Sequence, residues 1–203
     1  MNATARIAFH RDFERALVFT TRLHAAQTRK QTEVPYISHL IGVAGLVLEF
    51  GGGRDEAIAA LLHDSIEDQG THYPGGVPAL KKAIASEFGG KVLEIVEGCT
   101  DSETEPKPPW RARKEAYIRH LRGADARVRL VSCADKLHNA RSIVADLRSV
   151  GRALFDRFTG SEAGTLWYYR ELSHVFTELG PAAPAEELSR TVAAMGELAS
   201  KSR

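Results

Sequence analysis

At 203 residues, with 43% hydrophobic and 26% charged side chains, the chain has the make-up of one ordinary soluble domain with a sizeable core. Its formal net charge of +1 argues against a dedicated binder of nucleic acid or anionic membrane, which normally carries a basic surplus. No run of about 20 apolar residues occurs, and Arg6, His10, Arg11 and Asp12 interrupt the N-terminal segment, so neither a membrane span nor a secretory signal is expected and a cytoplasmic location is the default. Cys99 and Cys133 are too few for a disulfide framework, and each lies in an apolar pattern that reads as a buried, reduced thiol.

In chain order the periodicity is helical almost throughout. Phe13, Leu17, Leu23 and Ala26 predict a helix over 9–28, and Leu40, Val43, Ala44 and Val47 predict one over 37–50 that stops at Gly51-Gly52-Gly53. A helix over 54–68 follows, then a loop with Gly70, Pro74, Gly75 and Gly76, and helices over 78–88 and through Val92–Cys99. The stretch from Asp101 to Pro109, with Pro106, Pro108 and Pro109 among acidic residues, reads as a surface loop too short to separate domains. Beyond it come a basic helix at 111–122, a long helix at 127–147, and helices over 151–158, 161–179 and 184–200. Strand-like alternation, internal repeats and low-complexity tracts are absent from the sequence. The expectation is a compact all-α bundle of about nine helices forming a single domain over 1–203, with its motifs within 9–148 and a helical C-terminal part at 149–203.

His63-Asp64 followed by Glu67-Asp68 carries the chemistry. Burying that much charge beside Ile58–Leu62 costs several kcal/mol per ion, on the order of the penalties known for unpaired buried ions, unless a cation offsets it. A divalent metal is the natural partner, and spare carboxylates beside a metal point to activation of water. His39 and Asp135 are the further core-facing ligand candidates; Val131 precedes Asp135 by one helical turn and should turn it inward. His39, His63, Asp64 and Asp135 make a mixed nitrogen and oxygen set that suits Mn²⁺, Fe²⁺ or Zn²⁺ better than Ca²⁺ or Mg²⁺. Glu67 and Asp68 stand one turn after His63 and Asp64 on an expected continuous helix, free to orient and deprotonate a water. Asn139 and Ser142 extend a polar stripe from Asp135 and can hydrogen-bond a substrate; His138 stays outside the metal set as a packing residue. Lys107, Arg111, Arg113 and Lys114 flank the acidic loop as a solvated face or a contact for a polyanion.

Taken together, these stretches resemble the HD-type metal-dependent phosphohydrolases. More closely, the chain is similar to the hydrolase domain of the RelA/SpoT-homologue superfamily, in its stand-alone small alarmone hydrolase branch. The resemblance rests on His24-Ala-Ala-Gln-Thr-Arg29-Lys30, Pro35-Tyr36-Ile-Ser-His39, Ala60-Leu-Leu-His63-Asp64-Ser-Ile-Glu67-Asp68, Phe88-Gly-Gly-Lys-Val, Val96-Glu-Gly-Cys-Thr100 and Val131-Ser-Cys-Ala-Asp135-Lys-Leu-His-Asn139, in family order. It implies a helical HD fold and Mn²⁺-dependent removal of the 3′-pyrophosphate from guanosine tetra- or pentaphosphate (ppGpp, pppGpp), giving GDP or GTP. It implies His39, His63, Asp64 and Asp135 as metal ligands, Glu67 and Asp68 as catalytic carboxylates, and Arg29, Lys30, Asn139 and Ser142 as nucleotide contacts. Tyr168 is expected to close the nucleotide pocket or to belong to the core. Related animal proteins also dephosphorylate NADPH, which stays open as a substrate. A third reading is a partner-binding role, such as neutralising a toxin-like alarmone synthetase.

Three departures from the family pattern stand out: the Gln31–Val34 segment is about one residue longer than the usual short turn, Leu40 replaces a common proline, and Thr71–Gly76 looks like a small insertion. No room is left for the synthetase and regulatory domains of the long homologues, so the expectation is degradation of alarmone without synthesis.

Overall fold

The computed structural model describes residues 3–104 and 106–201, with side chains from Phe9 onward; Glu105 of the acidic loop lies outside the described residues. The chain divides into two compact units, Met1–Glu105 and Pro106–Arg203. Among the described residues there are ten α-helices, one 3₁₀ segment and no β-strand. This bears out the all-α expectation.

The first unit contains α1 (Ala3–Leu23), α2 (Ile37–Glu49), α3 (Arg54–Leu62), α4 (Ser65–Gln69), α5 (Gly76–Phe88) and α6 (Gly90–Cys99). Helix α3 is its centre, packing on α1, α2 and α6. Ala57, Ile58, Ala59, Ala60, Leu61 and Leu62 are all fully buried, as a helix apolar on every side must be. Its start is held by the Glu56 carboxylate, which accepts the Gly53 N–H at 2.9 Å. The Arg54 guanidinium donates to buried Asp12 of α1 at 2.9 Å, tying the two helices.

The helix expected over 54–68 is in fact two helices, interrupted at His63 and Asp64. His63 Nδ1 donates to the Ala60 carbonyl at 2.8 Å, and Thr20 Oγ1 donates to the Leu61 carbonyl at 2.8 Å. These side chains take up carbonyls at the end of α3 that a continuing helix would use for its own backbone. Asp64 sits at φ −94°, ψ 0°, and the ladder resumes with Asp68 N–H donating to the Asp64 carbonyl at 2.9 Å. The argument that Glu67 shares a face with His63 on one continuous helix therefore does not apply.

The second unit contains α7 (Trp110–Gly123), α8 (Ala126–Val150), the 3₁₀ segment Gly151–Arg157, α9 (Ser161–Leu179) and α10 (Ala182–Lys201). Helix α8 is its spine and packs on α10, the 3₁₀ segment and α9. It opens on Asp125, whose carboxylate accepts the Arg127 N–H at 2.8 Å, and stops at Gly151, where φ is +64°. Trp110 lies against Gly160 and Gly164, so α7 meets the start of α9 where no side chain intervenes.

Candidate metal centre

The loop after α1 sets up the first half of the site. Arg29 N–H donates to the Val34 carbonyl at 2.8 Å and Tyr36 N–H to the Gln27 carbonyl at 2.9 Å, with Gln31 at its tip in the left-handed region (φ +56°). This tight loop brings Gln27 beside Tyr36 and starts α2 so that His39, on its first turn, is fully buried. The break between α3 and α4 turns His63 and Asp64 toward His39. The His39 and His63 rings lie 5.2 Å apart, and Asp64 Oδ2 is 3.0 Å from His63 Nε2 and 3.7 Å from His39 Nε2.

The hydrogen bonding fixes the chemistry of these atoms. A carbonyl can only accept, so His63 carries a proton on Nδ1 toward Ala60, and its Nε2 faces the Asp64 carboxylate. Either a proton or a metal ion at Nε2 would join the two groups. The donor set thus fits a divalent metal. The Tyr36 hydroxyl donates to Asp64 Oδ2 at 2.5 Å and orients the carboxylate.

A second network holds Asp68. Gln27 Nε2 donates to Asp68 Oδ2 at 2.8 Å, while Gln27 Oε1 accepts from Gln69 Nε2 at 2.6 Å and from His24 Nδ1 at 2.6 Å. Since Gln27 uses its N–H toward Asp68, its oxygen must accept, and His24 is protonated on Nδ1. Burial pulls the His24 imidazole below its ordinary pKa, opposed by the Gln27 hydrogen bond and the Asp64 charge, so the ring is neutral at pH 7. It stacks on Tyr36 with centroids 5.5 Å apart. Glu67 Oε2 accepts a long bond, 3.5 Å, from the Asp101 N–H.

In the second unit, Asp135 of α8 is 5% exposed and accepts from Asn139 Nδ2 and from Lys136 Nζ, each at 2.6 Å. Burial disfavours the charged amine of Lys136, yet the Asp135 carboxylate, with Tyr168 and Tyr117, holds its pKa well above the ordinary lysine value. Asp135 offers a buried carboxylate oxygen of the kind that ligates a divalent cation. Burial pushes the Cys133 thiol far up, with the nearby Asp135 charge adding to it, so Cys133 is an inert thiol.

The expected nucleotide contacts are placed less uniformly. Arg29 lies over the Tyr36 ring, its guanidinium carbon 5.9 Å from the centroid, and Lys30 is exposed on the same loop. Asn139 is engaged with Asp135, and the Ser142 hydroxyl donates back to the His138 carbonyl of its own helix at 3.1 Å. Tyr168 is buried in an aromatic cluster with Trp110, Trp167 and Tyr169, and the Lys114 amine sits 5.1 Å over its ring. Sequence reasoning gave no role to His24, Gln27 or Tyr36. The available signal was polar side chains at positions flanking the metal motif, where burial without partners is costly.

Residues 16–160 match the HD domain family. The chain belongs to the HD-domain family. His39, His63, Asp64, Glu67, Asp68, Asp135, Asn139 and Ser142 of this HD domain fall within the match, and Tyr168 lies beyond it. The HD-domain chain is 38% identical over 128 residues to the Xenopus tropicalis guanosine-3′,5′-bis(diphosphate) 3′-pyrophosphohydrolase MESH1, covering 62% of this chain and 65% of that protein. It is 34% identical over 162 residues to the bifunctional (p)ppGpp synthase/hydrolase SpoT of Escherichia coli K12, covering 77% of this chain and 21% of that protein. A Listeria monocytogenes crystal structure superposes with a TM-score of 0.65 at 26% identity, covering 76% of this chain and 96% of that one. A metazoan SpoT ortholog described as hydrolysing ppGpp superposes with a TM-score of 0.57 at 25% identity, covering 83% and 96%. The chain thus spans about 65% of the length of the first of these curated relatives.

No helix among the described residues is long and apolar enough to cross a membrane.

Proposed function

We propose that the protein is a Mn²⁺-dependent hydrolase of ppGpp and pppGpp, releasing pyrophosphate and GDP or GTP, within a single HD-type domain. The observation that carries this reading is the convergence of His39, His63 and Asp64 beside a separately held Asp68, in a chain similar to enzymes named for that reaction. His39, His63, Asp64 and Asp135 are the proposed ligands, and their nitrogen and oxygen donors favour Mn²⁺ over the harder Mg²⁺ and Ca²⁺. Such a cation supplies Lewis acidity and lowers the pKa of water from 15.7 to about 7–9.

The remaining steps belong to side chains of this chain. Asp68, its carboxylate aimed by Gln27, and Glu67 take the proton of the water that attacks the phosphorus on the ribose 3′ oxygen. As the new P–O bond forms, the bond to the 3′ oxygen breaks and that oxygen takes up a proton, leaving a free hydroxyl. Tyr36 keeps Asp64 oriented and Asn139 keeps Asp135 oriented, so each carboxylate is preorganised within its own unit. Arg29 and Lys30, on the loop beside Tyr36, are the proposed contacts for the polyphosphate or the purine face, with Asn139, Ser142 and Tyr168 as further proposed contacts.

The deciding experiment incubates the protein with ppGpp, pppGpp and NADPH, with Mn²⁺ or with chelator, and identifies the products. Pyrophosphate with GDP or GTP, only when metal is present, is the expected result. Phosphate release from NADPH without alarmone turnover would assign the site to another nucleotide. Binding of an alarmone synthetase without turnover of any substrate would make the protein a neutralising partner.

A further inference from the structure

The first unit carries a second concavity, of about 780 Å³, none of whose lining residues belongs to the proposed metal or nucleotide set. Its floor is apolar and aromatic: Val18, Phe19 and Leu23 of α1 face Phe88 of α5, with the Phe19 and Phe88 rings edge to face at 5.6 Å. Val18 is 42% exposed, a large apolar surface left open to solvent. One wall is His72 and Tyr73, in the loop between α4 and α5.

Two charges at the rim are unmatched. Arg15 is paired with Glu87 and Arg11 with Asp12, whereas Arg22 and Glu14, about two helical turns apart on α1, have no ion pair among the described residues. A flat aromatic body against Val18, Phe19 and Phe88, carrying an anionic group toward Arg22 and away from Glu14, complements the floor and the free guanidinium. Gln69 lines the same groove and donates the hydrogen bond that steadies Gln27, which in turn holds Asp68.

We propose that this groove is an inhibitory effector site for a small aromatic anion, a planar ring system bearing a phosphate, sulfonate or carboxylate. An oxygen of the ligand accepts the Gln69 amide N–H, withdraws it from Gln27 and so loosens Asp68. The inhibitory part rests on the hydrolase reading; the binding part does not.

The test uses 8-anilinonaphthalene-1-sulfonate as the probe. Its fluorescence is titrated into folded full-length protein held with chelator, and ppGpp turnover is measured separately with Mn²⁺. Saturable one-to-one binding is expected, weakened at least tenfold in Arg22→Glu and in Val18→Glu, while both variants keep hydrolysis without probe within about twofold of the parent. The bound probe is expected to lower kcat at least threefold with KM little changed, and Gln69→Leu to bind the probe but lose its inhibition. Undiminished binding in both groove variants, with circular dichroism showing them folded, overturns the site. Binding that leaves kcat untouched overturns the coupling. If the protein turns over no alarmone, binding still reports on the groove, so the two readings fail separately.

Discussion

Three contacts decide the chemistry at the residue scale: Tyr36 on Asp64, Gln27 on Asp68, and His63 on its own helix carbonyl. Asp64→Ala removes a carboxylate from between two imidazoles, so it is expected to lose bound metal and turnover together, read by metal analysis and product release. Glu67→Ala should keep its metal and lose turnover by about 10²- to 10³-fold, the usual share of a general base. A Glu67→Ala enzyme as fast as the parent would exclude that residue from proton transfer. Gln27→Leu should lower kcat about 10- to 100-fold with little change in KM or metal content, because it frees Asp68 without touching ligands or substrate. An unchanged kcat in that variant would mean that Asp68 needs no positioning.

The elements are held by a few specific joints. Burial pushes the Asp12 carboxyl up, but the Arg54 and Arg11 guanidiniums beside it hold its pKa below the ordinary carboxylate value. A depressed folded pKa means the stabilisation is complete above about pH 4–5 and is lost as pH falls through the folded value. Asp12→Asn is therefore expected to cost about 1–2 kcal/mol at pH 7 and clearly less near pH 3, measured by urea unfolding at both pH values. An equal cost at both would show that packing, rather than the ion pair, joins α1 to α3. In the second unit a Cβ at Gly160 would lie 2.5 Å from the Trp110 ring, so Gly160→Ala forces α7 and α9 apart. A loss of about 1–3 kcal/mol is expected in the same unfolding measurement.

For the whole chain, metal that binds only the folded state must raise its stability by mass action, so chelation should lower the melting temperature and added Mn²⁺ restore it. A melting curve indifferent to both would contradict the proposed centre. Sequence alone determined the helical class and nearly every helix, because burial periodicity is a local property. It also marked His39, His63 and Asp135 for the interior, since each sits in register with apolar neighbours. The break at His63-Asp64 was not legible there: the propensities run through it, and only side chains from α1 and from His63 itself, competing for the α3 carbonyls, end the helix. The roles of Gln27 and Tyr36 were equally hidden, because each acts on a carboxylate far along the chain through a single hydrogen bond. Such bonds depend on where the loop after α1 is laid against α4, which is a matter of packing and not of pattern.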